Sequence, residues 1–194
     1  MNYATIKYFD IANGEGVRTS LFVSGCRRHC PFCFNEAAWN FKAGKPFTSE
    51  VESKIIASLE APYIDGFSIL GGEPMEPENQ QGLVSFVERV RERFPRASGK
   101  TIWCYTGDRL EDLMEGGVHY TSATDRLLAC IDILVDGMFV QDLKDITLRF
   151  RGSSNQRIID VNKTREAAKA AGCDLAYAVE LWEDDPVFST HDIR

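Results

Sequence analysis

Apolar and polar positions alternate in blocks along the chain. Thr19–Ser24 (TSLFVS) is a short, mostly apolar run ending at Gly25, the pattern of a buried strand. Ser49–Glu60 carries Val51, Ile55, Ile56 and Leu59 at helical spacing, and Ser49 with Glu52 has the form of a capping box. Phe67–Leu70 predicts a strand stopped by Gly71-Gly72. A second helix is predicted from Pro77, a residue favoured at the first helical position. Its apolar face is Leu83, Phe86, Val87, Val90 and Phe94. Thr101–Thr106 (TIWCYT) predicts a strand ending at Gly107, and Asp108–Glu115 a short helix. Ile131–Val135 (IDILV) predicts a strand ending at Asp136-Gly137. Val161–Ala171 predicts a last helix stopped by Gly172, with a strand-like Leu175–Val179 after it.

Strands thus alternate with helices, and the strands read as nearly continuous apolar runs. That combination predicts an α/β fold with a mostly parallel sheet covered by helices. A chain of 194 residues holds about five or six βα units, too few for a full eight-fold barrel. The expectation is an open, partial barrel of the (β/α)6 type. Sites in such sheets form at the C-terminal ends of strands. Four predicted ends carry suggestive residues: Gly25-Cys26, Gly71-Gly72-Glu73, Tyr105-Thr106-Gly107 and Asp136-Gly137. A parallel sheet would bring them to one rim.

Composition narrows the class. With 44% apolar and 26% charged residues, the chain is neither disordered nor collagen-like nor a disulfide miniprotein. Its net charge of −7 argues against a nucleic-acid partner, which needs a basic face. No apolar run approaches the ~18 residues of a membrane span. The opening MNYATIKYFD lacks the pattern of a secretory signal. A cytoplasmic location is therefore expected, where disulfides are rare, and the six cysteines need another explanation.

Three of them form Cys26-Arg27-Arg28-His29-Cys30-Pro31-Phe32-Cys33, a C-x3-C-x2-C spacing. Thiolates so spaced can turn inward from one loop and converge on a metal centre. Sets of four cysteines close a structural zinc or an electron-transfer cluster. Three thiolates on a 4Fe-4S cluster leave one iron open to an external ligand. Two other arrangements stay open at this point. One is zinc with His29 as fourth ligand, cramped by its adjacency to Cys30. The other is a closed cluster using Cys104, Cys130 or Cys173. Cys104 lies in an apolar strand and Cys130 on an apolar helix face, where free Cys serves as a small hydrophobe. Cys173 follows the helix stop, and all three read as structural.

With Phe32 as the aromatic before the last Cys, this loop resembles the signature of the radical S-adenosylmethionine (SAM) superfamily. More narrowly, the chain is similar to the activating proteins of the anaerobic (class III) ribonucleoside-triphosphate reductase. The resemblance rests on Asn13-Gly14-Glu15-Gly16-Val17-Arg18-Thr19-Ser20 leading into the loop, and on Cys33-Phe34-Asn35 after it. It rests further on Gly71-Gly72-Glu73-Pro74, Tyr105-Thr106-Gly107, Val135-Asp136-Gly137 with Phe139-Val140-Gln141-Asp142-Leu143, and Arg151-Gly152-Ser153-Ser154-Asn155-Gln156-Arg157. It covers about residues 1–160. Members usually carry Pro where Glu15 stands. The chain also runs past the family's usual end. Residues 161–182 read as an extra βα element, able to cover the open edge of a single domain spanning 1–182. An acidic tail, 183–194, begins Glu183-Asp184-Asp185-Pro186.

The resemblance implies a radical SAM core with one 4Fe-4S cluster per chain on Cys26, Cys30 and Cys33. The amino and carboxylate groups of SAM would chelate the fourth iron. One electron passes to the sulfonium, the S–C5′ bond breaks, and a 5′-deoxyadenosyl radical takes a hydrogen atom from a glycine Cα in the reductase large subunit. A flavodoxin or ferredoxin is the implied electron donor. Gly71 and Gly72, lacking Cβ, let the strand end approach the ligand. Glu73 would place a carboxylate beside the methionine amino group. Phe32 and Phe34, flanking the last Cys, are the implied adenine contacts. Thr106 and Asp136 are candidates for the ribose or methionine carboxylate, although Asp136-Gly137 is equally a plain turn.

Further residues have two readings each. Arg18 and Arg151 suit a carboxylate partner or surface acids. Ser153, Asn155 and Gln156 could close over SAM or dock the reductase. Arg27 and Arg28 could offset the cluster's charge, meet an acidic partner, or simply be solvated. Gly14-Glu15-Gly16 fails as a dinucleotide loop because Thr19 holds the third-glycine place. His119 and His191 lie in polar contexts without a partner pattern. The competing functions are a radical SAM enzyme of the deazapurine-precursor type, a zinc-binding module and a plain electron carrier.

Overall fold

A computed structural model describes residues 1–182; the acidic tail and His191 lie outside the described residues. The strands are β1 (Asn2–Asp10), β2 (Arg18–Val23), β3 (Lys45–Pro46), β4 (Gly66–Gly71), β5 (Thr101–Tyr105), β6 (Ile133–Asp136) and β7 (Arg157–Asp160). They form one open sheet in the order β3-β1-β2-β4-β5-β6-β7. The helices are α1 (Ser49–Leu59), α2 (Pro77–Arg93), α3 (Thr124–Cys130) and α4 (Val161–Ala171).

The α/β class and the parallel centre agree with expectation. β2, β4, β5 and β6 run parallel, with Val23 opposite Gly71, Ile69 opposite Cys104 and Cys104 opposite Leu134. The edges differ. β1 pairs antiparallel with both β2 and β3, and β7 antiparallel with β6. The parallel core therefore has four strands rather than five or six. A parallel neighbour requires a long crossover, usually a helix, whereas an antiparallel one needs only a turn. Residues 137–156, between β6 and β7, contain no α-helix, and the chain returns antiparallel.

Alternation within the strands separates two faces. Leu21, Val23, Phe67, Ile69, Ile102, Cys104, Leu134 and Ile159 pack with buried residues of all four helices in one core. Trp103, Ile133, Val135 and Ile158 form a smaller cluster with Tyr105, Phe150 and Trp182. The helices thus cover one face, and the other is closed by loops. Among the described residues, no helix is long and apolar enough to cross a membrane.

Four local expectations are corrected. Ser49 is the first helical residue of α1, Thr48 sits at the cap, and no side chain caps the helix, so the capping box does not form. Asp108–Glu115 contracts to a 3-10 turn, Leu110–Leu113, held by the Asp112 carboxylate on the Arg109 N–H. Ile131 and Asp132 precede the strand, which starts at Ile133. Leu175–Tyr177 is a 3-10 turn rather than a strand, because Asp174 caps the Ala176 N–H. The open edge is still covered, but further along. Asp160 N–H donates to Glu180 O at 2.9 Å, and Trp182 N–H to Ile158 O at 2.9 Å.

Candidate functional site

The C-terminal ends of β2, β4 and β5 meet a cavity of about 470 Å³, a size usual for small-molecule sites. Cys26, Cys30 and Cys33 all line it. So do Phe32, Phe34, Gly71, Gly72, Glu73 and Thr106. Parallel register explains the meeting, since it aligns strand ends far apart in sequence. The six cysteines are all free thiols; Cys104 and Cys130 are buried outside the cavity and Cys173 is exposed.

The cysteine loop starts from a firm base. Gly25 N–H donates to Ala38 O at 2.7 Å, Cys26 N–H to Trp39 O at 3.0 Å, and Glu73 N–H to Gly25 O at 2.8 Å. Further on, Cys33 N–H donates to Cys30 O at 3.1 Å. That bond closes a turn with Pro31 second and Phe32 third, and Phe32 takes φ 60°, the sign a type II turn requires there. Phe32 and Phe34 are left 72% and 83% exposed at the cavity mouth. Asn35 N–H reaches the Cys33 sulfur at 3.4 Å, the kind of contact that tunes a sulfur-ligated cluster. Burial pushes the Cys26 thiol up to about 11.

At the end of β4, Gly71 has φ +116°, and a Cβ there would stand 2.5 Å from Val23 N. A Cβ on Gly72 would stand 2.5 Å from Gly25 O. The strand end and the cysteine loop touch backbone to backbone, which no side chain would permit.

Glu73 is buried, and its carboxylate is engaged by the protein itself. Oε1 accepts from Met75 N–H at 2.9 Å and from the Thr106 hydroxyl at 2.7 Å. Oε2 accepts from Gly107 N–H at 2.7 Å. Glu73 therefore clamps the end of β4 to that of β5. Burial and the neighbouring Asp108 raise its pKa above the usual carboxylate value, and the hydrogen bonds from Met75 N–H and Thr106, with the charge of Arg28, oppose them. Thr106 is likewise occupied, donating to Glu73 and accepting Asp108 N–H at 3.0 Å.

Asp136 stands apart from the other candidates. It is not on the cavity wall. Its carboxylate accepts Arg157 Nε at 2.9 Å and Leu110 N–H at 2.8 Å. Antiparallel pairing of β7 with β6 sets Arg157 opposite Asp136. The reading of Arg18 is corrected. It is fully buried and, among the described residues, pairs with no carboxylate, donating instead to Ser68 Oγ, Glu15 O, Phe67 O and Thr101 O at 2.7–2.9 Å. Desolvation pulls its pKa down to about 10.

The polar Arg151–Arg157 run holds its own loop. Gln156 donates to Gly137 O at 2.9 Å, Asn155 to Met138 O at 2.8 Å, and Arg151 to Gln156 O at 2.8 Å. Arg27 pairs with Glu76 and Glu78, and Arg28 with Asp108; neither is a merely solvated charge. His119 has a partner after all, with Nδ1 2.6 Å from Asp108. The sequence reading missed Asp108 and the wall formed by Phe139, Gln141, Lys144, Leu148 and Phe150. Asp108 directly follows Tyr105-Thr106-Gly107, a position that could have marked it. The 139–150 segment carries no periodic signal.

The chemistry of the donor set fits an iron–sulfur cluster. Three unpaired thiols share one wall, and a buried Tyr105 hydroxyl on the same cavity has no partner, as expected of a group that meets a ligand. Among the described residues, no three His, Cys, Asp or Glu side chains converge for a single ion.

A family model described as a 4Fe-4S single cluster domain matches residues 12–159. The chain is 44% identical over 158 residues to the anaerobic ribonucleoside-triphosphate reductase-activating protein of Salmonella typhi, covering 80% of this chain and 96% of that protein. It is 43% identical over 158 residues to the protein of that name from Escherichia coli (strain K12), with the same coverage. To the Enterobacteria phage T4 protein of that name it is 35% identical, over 81% of this chain and 93% of the other.

Proposed function

The chain belongs to the anaerobic ribonucleoside-triphosphate reductase-activating proteins and carries their 4Fe-4S single cluster domain, and from that premise we propose that it makes a glycyl radical on this reductase by reductive cleavage of SAM. The observation that carries the reading is that Cys26, Cys30 and Cys33 line one cavity together with Gly71 and Gly72. Cys26, Cys30 and Cys33 would hold the cluster, one per chain. When bound, cluster and SAM together supply one-electron cleavage of the S–C5′ bond, and with it a carbon radical able to take a hydrogen atom from a glycine Cα.

The chain's own residues hold and orient. Gly71 and Gly72 bring the β4 backbone against the cysteine loop, so a ligand at the β4 end would be held next to the residues that would hold the cluster. Glu73 and Thr106 keep the ends of β4 and β5 together. Phe32 and Phe34 offer aromatic faces at the mouth, and Leu70, Leu148 and Phe150 give the cavity a dry wall. The protein substrate is the reductase large subunit, and a flavodoxin or ferredoxin supplies the electron. The same proposal takes residues 1–182 as one domain working in the cytoplasm.

Electron paramagnetic resonance of the reductase decides the matter, after anaerobic incubation with this protein, SAM and a reductant. A glycyl doublet is expected, with cleavage of the reductase at one glycine on exposure to oxygen. Formation of 5′-deoxyadenosine with a small substrate and no reductase would overturn the reading.

A further inference from the structure

Resting on that reading of the site, we propose that Arg28 is a positioning residue: it ties the distal half of the cysteine loop, from Arg28 to Cys33, to the ends of β4 and β5. The loop is anchored in two different ways. Up to Arg27 the loop is held by main-chain groups, the Gly25, Cys26 and Glu73 bonds given above and Arg27 N–H on Glu76 Oε1 at 2.7 Å, with the Arg27 side chain on Glu76 and Glu78 besides. Beyond Arg27, the bonds from Cys33 N–H to Cys30 O and from Asn35 N–H to Cys33 Sγ stay within the loop. His29 stacks on Trp39 at 4.5 Å, on the chain that follows the loop. Among the described residues, the polar contact from this half to the strand ends is made by Arg28. It pairs with Asp108, and its Nε lies 3.6 Å from Glu73 Oε2.

Both acceptors are buried, Glu73 at 2% and Asp108 at 4% exposure. Withdrawing the guanidinium would take the cation from Asp108 Oδ1 and leave the buried Glu73–Asp108 pair with His119 as its remaining cationic partner, which is unfavourable. Asp108 is itself rigidly set. Its N–H meets Thr106 Oγ1 at 3.0 Å, its carbonyl accepts Gly137 N–H at 2.9 Å, and its other carboxylate oxygen faces His119. The strut therefore ends on a frame that joins β4, β5 and the exit of β6.

Space has been left for it. A Cβ on Gly107 would stand 2.5 Å from Arg28 Nε and 2.6 Å from Cδ. Arg28 also lines the cavity with all three cysteines. A ligand bridging the cysteine loop and the strand ends must span a set gap, and Arg28 sets it for Cys30 and Cys33. Loss of such geometry weakens binding even where every ligating group remains.

The test begins with the metal-free protein, so that it does not depend on cofactor loading. Iodoacetamide alkylation of each cysteine is followed by mass spectrometry in wild type, Arg28→Ala, Arg28→Lys and Gly107→Ala. Because the Arg28 charge also favours the Cys30 thiolate, rates are compared as the limiting thiolate rate at high pH; Cys30 and Cys33 are expected to react several-fold faster by that measure in Arg28→Ala and Gly107→Ala, with the rate at exposed Cys173 unchanged. Arg28→Lys should fall between, keeping charge but losing the planar fork. After reconstitution, the variants should hold wild-type iron and sulfide yet bind SAM about tenfold more weakly, a loss of about 1.4 kcal/mol. The change that SAM induces in the cluster's paramagnetic resonance spectrum should shrink in parallel. Should Arg28→Ala not fold, Gly107→Ala and Arg28→Lys decide by the same measurements. Wild-type rates at Cys30 and Cys33 in the displaced-strut variants overturn the proposal, as does unchanged SAM affinity alongside faster alkylation. If the thiols behave as expected but wild-type protein takes up no cluster, the radical reading fails and the strut stands.

Discussion

Asp136 and Arg157 face each other across the β6–β7 pair, with Arg157 Nε 2.9 Å from Asp136 Oδ1. Arg157 also reaches Glu111, so the pair ties the sheet edge to the turn after β5. Arg157 keeps Glu111 and partial contact with solvent when Asp136 loses its charge, so the loss is limited. Asp136→Asn should lower stability by about 1–2 kcal/mol, read from urea denaturation, while the cluster-loaded protein keeps its affinity for SAM. A variant of normal stability that no longer binds SAM would return Asp136 to the cofactor site.

The six cysteines should divide into two groups. Cys26→Ala, Cys30→Ala and Cys33→Ala are each expected to lose bound iron and sulfide and all formation of 5′-deoxyadenosine. Cys104→Ala, Cys130→Ala and Cys173→Ser should keep both. Cys104 lies in the helix-side core, so its truncation should cost about 1 kcal/mol of stability and nothing else. Metal analysis after anaerobic reconstitution distinguishes the groups, and a cluster-free Cys104→Ala protein would refute the assignment.

Gly72→Ala tests the backbone contact between β4 and the cysteine loop. Its new methyl would sit 2.5 Å from Gly25 O and 2.9 Å from Ala38 O, both main-chain atoms that cannot swing aside. Overpacking of this kind costs about 2 kcal/mol. SAM cleavage should fall more than stability predicts, because the displaced segment begins at Cys26. Wild-type turnover in a Gly72→Ala protein would show that the contact does not set the site.

Glu78 titrates unusually low. Hydrogen bonds from Arg27 hold its carboxyl down to about 2, against 4.5 for an unperturbed Glu. The group is charged more readily in the folded protein than in the unfolded chain. Its stabilising contribution is therefore present above about pH 4.5 and disappears as pH falls toward 2. The exposed setting keeps that contribution small. Carboxyl-carbon NMR should show the low midpoint in wild type and a midpoint near 4.5 in Arg27→Gln.

Period and spacing were enough to place most elements. α1, α2 and α4 lie where their apolar faces predicted, and Gly172 ends α4 in a left-handed conformation as expected. β1 went unseen because its pattern is weak, with half-buried and exposed positions mixed. β7 is four residues long and runs straight into α4, too short for an alternation to register. The cysteine triplet and the Gly71-Gly72 stop were conspicuous because each depends on residue type within a few positions.

The partnerships of charged groups were a different matter. Arg18 looked like a carboxylate ligand and is a buried donor to main-chain oxygens; His119 looked solitary and meets Asp108. Arg28 is 45 residues from Glu73 and 80 from Asp108 along the chain, and parallel register brings them together. Chain order therefore dictates which thiols can share a loop and which stretches become strands or helices, since those outcomes depend on near neighbours. Folding in three dimensions decides which charges neutralise one another, and whether a conspicuous side chain reaches the cavity or serves the scaffold, since that depends on strands that meet only in the sheet.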